Sequence, residues 1–532
     1  MIDKKQIINF LNEISICMEL LKENSFRISS YKKASRAIEN YNQDIVQLIE
    51  NKQLTDINGI GQAISQKIYE YYDKGSSEYL ENLKAKIPQG IFNILKLKGL
   101  GPKKIIHLWE KLGTTSLGEL EYACEENRLI SLVGFGEKTQ NKILNQIQEL
   151  KKFSGHALLN DAENEILRIK EILKEKYNIK EIEIAGTYRR GVPIVDELVF
   201  ICKTDETIKD IESNLNIKFV NTNDNDFYYS LFINTGVKEH VENIKLEKGN
   251  YKSEAEIFKS AGIEYIPPEI RENNGEIDSA RQNNIPELIG IQDIKGVMHA
   301  HSTYSDGSDT LENMAVACIE KGYKYLCISD HSKSAFYAGG LNEHDIFEQQ
   351  AEIKKLNQKY ENFHVFSGIE ADILKNGSLD YEEKILKSFD LVIASVHSNF
   401  TMPKDKMTER IINAVRNPYT TVLGHMSGRL LLGRKGYEID HDAIIDECIK
   451  NNVVIEINAN PHRLDIDWKY IKKAKENGAK FAINPDAHST SGIDHIKYGI
   501  LTARKGWLEK QHVINCLDKE QIANFFNKKK GI

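Results

Sequence analysis

The 532-residue sequence lacks the features that mark fibrous, disordered and membrane-spanning proteins. Ten prolines and 34 glycines are too few for a collagen-like or low-complexity chain. No apolar run approaches the roughly 18 residues that a membrane-spanning helix needs. The N-terminal residues read as a helix and not as a signal peptide. We therefore expect a globular protein of about three or four domains.

Cysteine is scarce and scattered. The seven cysteines are odd in number and include no C-x-x-C pair, which excludes a disulfide scaffold and a zinc ribbon. They are Cys17, Cys124, Cys202, Cys318, Cys327, Cys448 and Cys516. This pattern fits a reducing compartment, so we expect a cytoplasmic protein that is not bound to a membrane.

A strongly basic segment is also missing. The formal net charge is −7, and residues 1–150 carry 20 Lys and Arg against 19 Asp and Glu. Any binding of DNA must therefore depend on local geometry and not on a basic surface. Histidine, in contrast, is concentrated, because twelve of the fifteen lie after residue 290.

The apolar pattern changes along the chain. Residues 1–150 show helical periodicity broken by glycine turns. A helix over 163–177 then leads into strands over 182–185 and 198–202, and a polar, proline-containing stretch follows. After residue 294, short apolar strands alternate with segments of helix length, which predicts βα units.

Three N-terminal segments share one pattern, an apolar residue followed by Gly-apolar-Gly and a helix. Their glycines are Gly59, Gly61, Gly99, Gly101, Gly134 and Gly136. Glycine permits the positive φ of such a turn, and the following helix N-terminus offers N–H groups to a phosphate. The pattern resembles the helix-hairpin-helix motif, which binds a DNA backbone without reading sequence. One copy is often a plain turn between helices, whereas three copies favour DNA binding.

Residues 26–34, FRISSYKKA, resemble the N-terminal domain of family X DNA polymerases. In members with lyase activity, a lysine after the first hairpin attacks an abasic sugar, and Lys67 stands at that spacing. The resemblance thus makes Lys67 a candidate lyase nucleophile. A solvated surface lysine is the alternative.

Residues 186–191, GTYRRG, resemble the triphosphate-binding signature of the nucleotidyltransferase palm. The resemblance implies that Thr187 and Arg190 hold the nucleotide and that two carboxylates follow at positions 197 and 199. These positions hold Glu197 and Val199, and a valine cannot bind Mg²⁺. Either the polymerase works with an unusual carboxylate set, or the palm is a remnant, and we favour the remnant. Mg²⁺ at the palm is then doubtful.

In the C-terminal half, one apolar strand after another ends in a metal-binding residue type. The candidate ligands are His299, His301, Asp306, His331, Glu370, His397, His425, Asp486 and His488. A further strand carries Glu456. Strands separated by helices predict a parallel barrel, in which functional residues gather at the C-terminal ends of the strands.

The order of these residues resembles the polymerase and histidinol phosphatase (PHP) domain. The resemblance implies three divalent metals, held by His299, His301, Glu370 and Asp486, by Glu370, His397 and His425, and by Asp306, His331 and His488. Mixed imidazole and carboxylate ligands favour Mn²⁺, Zn²⁺ or Fe²⁺. Arg429, Arg463 and Lys333 follow strand ends and are candidate phosphate clamps, with surface cations as the alternative.

The whole order resembles bacterial family X DNA polymerases with a C-terminal PHP domain. It implies helix-hairpin-helix domains over 1–82 and 83–155, a degenerate palm over 156–235, a shortened thumb and linker over 236–292, and a distorted (βα)₇ PHP barrel over 293–532. We expect a monomeric 3′-5′ exonuclease that acts on gapped, nicked or 3′-end DNA. An active gap-filling polymerase and a phosphatase for small phosphomonoesters are the alternatives.

Overall fold

A computed structural model describes residues 2–41, 43–151 and 155–529. The chain divides into two compact units. Unit 1 comprises Met1–Cys124 and Leu132–Ile147, and unit 2 comprises Glu125–Ser131 and Gln148–Ile532. The division into five domains is finer than this and stays a prediction, and its outer limits, residues 1 and 532, lie outside the described residues.

Unit 1 is helical, as the sequence pattern predicts. Its helices are α1 (Lys4–Leu20), α2 (Ser25–Glu39), α3 (Ile45–Glu50), α4 (Gln62–Lys74), α5 (Glu78–Lys84), α6 (Ile91–Ile94), α7 (Pro102–Leu112), α8 (Leu117–Glu125) and α9 (Glu137–Lys151). The side chain of Asp3 accepts the N–H of Gln6 and caps α1, which satisfies one of the free donors of the first turn. Ile7, Leu11 and Ile14 form its buried stripe.

The palm region of unit 2 begins with a small sheet and its helices. The elements are β1 (Ala157–Leu158), α10 (Leu159–Tyr177), β2 (Ile182–Ala185), α11 (Gly186–Arg189), β3 (Ile194–Val195), β4 (Glu197–Lys203), β5 (Asn216–Thr222) and α12 (Phe227–Thr235). The strand order is β2-β4-β5, with β4 antiparallel to β2 and parallel to β5. The predicted helix and both predicted strands are confirmed.

Residues 236–292 differ from an irregular linker, because they fold around a buried charge. They contain α13 (Lys238–Ile244), α14 (Glu254–Ser260) and α15 (Glu276–Arg281). The guanidinium of Arg271 is fully buried, lies 2.6 Å from Glu254 and donates to the carbonyl of Ile266. The ring of Phe258 lies 4.9 Å from the same guanidinium.

The C-terminal part of unit 2 is a barrel of seven parallel strands. These are β6 (Gly296–Val297), β7 (Tyr325–Ile328), β8 (His364–Asp372), β9 (Leu391–Ser395), β10 (Val422–Leu423), β11 (Val454–Asn458) and β12 (Phe481–Asn484). Its helices are α16 (Leu311–Glu320), α17 (Glu343–Lys359), α18 (Glu383–Leu386), α19 (Lys404–Val415), α20 (His441–Lys450), α21 (Trp468–Glu476), α22 (Ile496–Lys505) and α23 (Lys519–Lys529).

The strands follow the order of the chain from β6 to β12. A parallel bridge between Ala300 and Ala487, just beyond the two edge strands, nearly closes the barrel. The predicted fold class, helical N-terminal domains followed by a distorted (βα)₇ barrel, is confirmed. Among the described residues, no helix has the length and apolar character needed to cross a membrane.

Replacing Arg271 by methionine tests the buried charge. The substitution leaves the Glu254 carboxylate without one of its cations, so we expect unit 2 to lose about 3 kcal/mol of unfolding free energy. Urea unfolding followed through the fluorescence of Trp507, which belongs to the same apolar cluster, measures the loss. The matched control is Arg281→Met, because Arg281 forms an exposed pair with Asp278. Equal stability of the two variants would contradict the assignment.

Candidate metal centre and nucleic-acid contacts

The nine predicted ligand side chains all lie at the C-terminal end of the barrel strands. Since every strand of a parallel barrel points the same way, residues far apart in sequence meet at this end. Glu370 lies within β8, and His397 and His425 follow β9 and β10. None of the nine side chains is more than 6% exposed. The structure thus gathers the whole predicted set in one buried cluster.

Glu370 is at the centre of this cluster. Its Oε1 lies 2.9 Å from Nε2 of His425 and 3.2 Å from Nε2 of His397. Its Oε2 lies 2.9 Å from Nδ1 of His331. One carboxylate therefore faces histidines from three neighbouring strand ends, which is the arrangement of a ligand shared between metals.

Two further groups have the spacing of metal ligands. In each group, the ligand atoms all lie within 4.8 Å of one another. The first group is His301, Asp306, His331 and His488, and the second is His299, His301 and Asp486. Nε2 of His301 lies 3.1 Å from Oδ1 of Asp486 and therefore links the two groups. These clusters could hold divalent metals.

The donor atoms of the cluster fit such metals. Several are buried and form no hydrogen bond of normal geometry among the described residues, although some lie close to a neighbouring ligand atom, and this is rare for buried polar atoms. They include Nε2 of His299, Nδ1 of His301, Oδ2 of Asp306, both ring nitrogens of His331, Oε2 of Glu370, Nε2 of His397 and Nε2 of His488. Cations in the cluster would satisfy these atoms together.

The pKa shifts within the cluster also fit metal binding. Although burial alone would raise the pKa of the Glu370 carboxyl, His397, His299 and His331 hold it well below its usual value. Burial would lower the pKa of His331, but Asp306 and Glu370 raise it to about 10. Burial, with His488 and His331, lowers the pKa of His301 to about 3. The cluster thus combines carboxylates with His301, whose imidazole is already neutral at pH 7, and with His331, whose extra proton a metal must displace.

Two buried carboxylates orient the ligands from behind. Oε1 of Glu456 lies 2.7 Å from Nδ1 of His299, and its Oε2 accepts the backbone N–H of His425. Oδ1 of Asp372 lies 2.6 Å from Nδ1 of His397. Such partners fix the tautomer and direction of metal-binding histidines. Neither role was predicted from the sequence. For Asp372 a signal was present, because it follows Glu370 by two residues, the period that places both side chains on one face of a strand.

The three candidate phosphate clamps differ in placement. Arg463 is buried, with Nε 3.7 Å from Oδ2 of Asp486. Arg429 pairs with Asp467 and donates to the carbonyl of Arg463, so it supports the loop that carries Arg463. Lys333 is exposed, and its Nζ lies 5.1 Å from the ring centroid of Tyr381. Of the three, Arg463 lies nearest to the cluster.

Residues 125–131 also reach the cluster, which no signal in the sequence predicted. Oε2 of Glu126 lies 2.7 Å from Nε2 of His488. Nε of Arg128 lies 3.7 Å from Oδ2 of Asp306. The carboxylate of Glu125 is 2.8 Å from Nε2 of His462, one of the six late histidines that have no predicted ligand role.

The three glycine turns of unit 1 share one backbone geometry. Their first glycines, Gly59, Gly99 and Gly134, have φ values of 101°, 92° and 86°, which a residue with a side chain rarely adopts. Gly61 and Gly101 are the N-caps of α4 and α7, and Gly136 directly precedes α9. Each turn therefore ends at a helix N-terminus, where N–H groups can bind a phosphate.

The palm signature lines an open cavity of about 720 Å³. Thr187, Arg190, Glu197 and Val199 are among its lining residues, and the Oγ1 of Thr187 is buried without a partner among the described residues. Arg190 pairs with Glu272 at 2.8 Å and donates to the carbonyl of Thr235.

Three acids line this cavity, namely Asp196, Glu197 and Glu242, but position 199 is a valine. Val199 stands on the same face of β4 as Glu197, and the neighbouring strand β5 contributes Asn216 and Lys218. Asp224 and Asp226, which follow β5, are not among the lining residues and pair with Lys203 and Lys248. The cavity therefore contains acids, but the second carboxylate position that the family resemblance implies is occupied by Val199.

Lys67 lies on α4, after the first glycine turn. Its Nζ donates to the carbonyl of Ala63 at 3.3 Å and lies 4.6 Å from the ring centroid of Tyr79. The amine is exposed, as both a lyase nucleophile and a solvated lysine would be.

Three family profiles match separate parts of the chain. Residues 2–77 match the Helix-hairpin-helix domain, residues 93–149 match the SAM-like Helix-hairpin-helix tandem, and residues 298–460 match the PHP domain. A probable phosphatase of Thermoanaerobacter sp. (strain X514) is 28% identical over 44% of this chain and 94% of its own length.

Among solved structures, a histidinol phosphate phosphatase from Lactococcus lactis subsp. lactis Il1403 is 18% identical. It covers 39% of this chain and 93% of its own, with a TM-score of 0.30, a likeness too weak to define the fold. The DNA polymerase/3′-5′ exonuclease PolX of Bacillus subtilis (strain 168) is 35% identical over 99% of both chains. This match runs through the hairpins, the palm and the barrel in one order, and the chain therefore belongs to the bacterial family X DNA polymerases that carry a C-terminal PHP domain.

Proposed function

We propose that this protein is a DNA-processing enzyme whose PHP site hydrolyses phosphodiester bonds at the 3′ end of a DNA strand. The main support is that nine buried candidate ligand side chains converge at one end of the barrel, several of them with donor atoms that form no hydrogen bond among the described residues. The Bacillus subtilis relative, named as a DNA polymerase/3′-5′ exonuclease, supports this activity. Trimming of 3′ ends would serve base-excision or gap repair.

The metal centre has three parts in this proposal. His299, His301, Glu370 and Asp486 hold one divalent cation, and Glu370 reaches a second beside His397 and His425. A third lies among Asp306, His331 and His488, whose ligand atoms are within 4.8 Å of one another. Mn²⁺ is the favoured ion, with Zn²⁺ and Fe²⁺ as alternatives. When bound, such metals supply an activated water and neutralise charge on phosphate oxygens.

The chain's own residues position the substrate. Arg463, buried beside Asp486, is placed to bind a phosphate oxygen, whereas Arg429 holds the Arg463 loop. Glu456 and Asp372 orient His299 and His397. Lys333 stays a weaker clamp candidate, because it is exposed.

The hairpins hold the DNA backbone in this proposal. Their three helix N-termini supply phosphate contacts, which suits a chain with a net charge of −7. Gapped, nicked or 3′-ended DNA is the proposed substrate class, and the enzyme is proposed to act as a monomer. A cytoplasmic location is part of the proposal, and the absence of any disulfide among the described residues supports it.

The palm is proposed to be a remnant that retains Thr187, Arg190 and Glu197 but has lost polymerase activity. The valine at position 199 and Lys218 on β5 support this reading, because metal positioning supplies most of the catalysis of phosphoryl transfer. The five-domain division and a lyase role for Lys67 remain proposals of the same kind.

Replacing Asp486 by asparagine tests the nuclease. The variant removes a carboxylate from the cluster, so we expect shortening of a 5′-labelled primer with Mn²⁺ to fall at least about 100-fold. Metal analysis of the purified protein should show fewer bound ions. The matched control is Asp278→Asn, because Asp278 is exposed and should leave both readouts unchanged. Undiminished shortening in Asp486→Asn would refute the nuclease assignment.

Primer extension tests the palm. The experiment uses the Asp486→Asn variant, so that shortening cannot mask extension of a 5′-labelled primer at a one-nucleotide gap. With deoxynucleotides and either Mg²⁺ or Mn²⁺, we expect no extension, since Val199 replaces a metal-binding acid. Extension by one nucleotide would show that the palm is active.

Replacing Glu456 by glutamine tests the carboxylate behind His299. The amide keeps the shape but weakens its hold on the Nδ1–H of His299, so we expect Mn²⁺ to bind about 10- to 100-fold more weakly. Titration of the metal-free protein by calorimetry measures the change. Glu438→Gln, at an exposed position outside the cluster, is the control. Unchanged Mn²⁺ affinity would remove Glu456 from the metal centre.

A further inference from the structure

The segment Glu125–Ser131, here called the strap, belongs to unit 2 although it interrupts the sequence of unit 1. It joins α8 to the third glycine turn, which begins at Leu132. The strap is held against the barrel at several points. Its Ser131 hydroxyl donates to the carbonyl of Tyr337 at 3.2 Å, and the guanidinium of Arg128 lies 5.0 Å from the Tyr337 ring.

Glu126 is the residue of the strap that enters the metal centre. Its side chain is 4% exposed, and its Oε2 lies 2.7 Å from Nε2 of His488. The same nitrogen lies 3.3 Å from Oδ1 of Asp306. A buried carboxylate of the strap therefore faces two ligands of the group that includes His301 and His331.

Arg128 adds a cation at the same place. Its guanidinium lies 3.5 Å from Oε2 of Glu126 and 3.7 Å from Oδ2 of Asp306. Arg128 therefore pairs with both carboxylates and holds Glu126 beside Asp306. The anionic oxygens that the strap presents to the cluster are those of Glu126.

This placement conflicts with open access for DNA. With the strap present, none of the nine ligand side chains is more than 6% exposed. A substrate phosphate that contacts His488 and Asp306 would need the space that the Glu126 carboxylate now fills. The strap would then have to move for such a phosphate to bind.

We propose that Glu126 is a further protein ligand of the metal centre that occupies the position of the substrate phosphate, so that the strap is a displaceable, self-inhibitory element. This inference rests on the proposed nuclease function. It gives Glu126 a role opposite to that of the nine predicted ligands, since its carboxylate competes with phosphate while their side chains would bind metal throughout the reaction. The strap continues directly into the third hairpin, so the hairpin proposed to hold DNA is covalently joined to the element that covers the site.

Inorganic phosphate is the probe that tests this competition. Calorimetry with the Mn²⁺-loaded full-length protein would compare the wild type with Glu126→Gln. Loss of the competing carboxylate should tighten phosphate binding about tenfold or more, which corresponds to about 1.4 kcal/mol. The matched control is Glu171→Gln, which removes the same charge from an exposed position on α10, outside the hairpins and the metal cluster, and should bind phosphate as the wild type does.

Two further measurements make the result unambiguous. Trypsin should cleave after Arg128 faster in Glu126→Gln than in the wild type, because a released strap becomes accessible. Glu126→Asp keeps the charge but draws the carboxylate back by one methylene, so it should also bind phosphate more tightly than the wild type.

Each outcome bears on the proposal. Equal phosphate affinity in the wild type and Glu126→Gln, or weaker affinity in the variant, would overturn it, because Glu126 would then be a bystander or a permanent ligand. Primer shortening separates this from the underlying function. If the wild type shortens no DNA while phosphate binding still tightens in Glu126→Gln, the nuclease proposal fails and the strap inference stands.

Discussion

The burial of Glu370 is the constraint on which the rest of the metal centre depends. A carboxylate that is 1% exposed is costly to keep ionised unless charges or hydrogen bonds compensate it. His425, His397 and His331 surround it at 2.9, 3.2 and 2.9 Å. These histidines follow strands β7, β9 and β10, which flank β8 in the sheet. The 3.1 Å approach of His301 Nε2 to Oδ1 of Asp486, in contrast, joins residues that follow the two edge strands, so it needs the barrel to be nearly closed. The chemistry of the site therefore requires the barrel as a whole.

The geometry of a parallel barrel also explains which ligand residues could be predicted from the sequence. His397, His425 and Asp486 follow short apolar strands, and a parallel barrel brings strand ends together whatever the distance along the chain. Their residue types and positions were therefore enough to predict the cluster. Glu456 lies within a predicted strand, but its task depends on which ring nitrogen it contacts, which only the packed structure specifies.

The contact between the strap and the metal centre could not be predicted from the sequence. Glu126 precedes the third glycine turn in a stretch that reads as an ordinary connection between helices. No periodicity or spacing relates it to His488, because the contact depends on tertiary placement alone. Val199, in contrast, could be interpreted from the sequence. Its distance along the chain from Gly186 identifies it as the second expected carboxylate position, which lies on β4. Local geometry was thus predictable, while contacts between distant segments were not.

The palm shows how the residues of a nucleotide-binding signature can also stabilise the fold. Arg190, which the nucleotide signature assigns to the triphosphate, pairs with Glu272 of the thumb region. Lys505 of α22 also pairs with Glu272 and donates to the carbonyl of Arg190, and burial lowers its pKa to about 8 despite that partner. Removing any member of this buried network leaves the others uncompensated. The residues of the signature therefore stabilise unit 2 whether or not a nucleotide binds. Val199 packs in an apolar cluster, where its side chain needs no compensating charge.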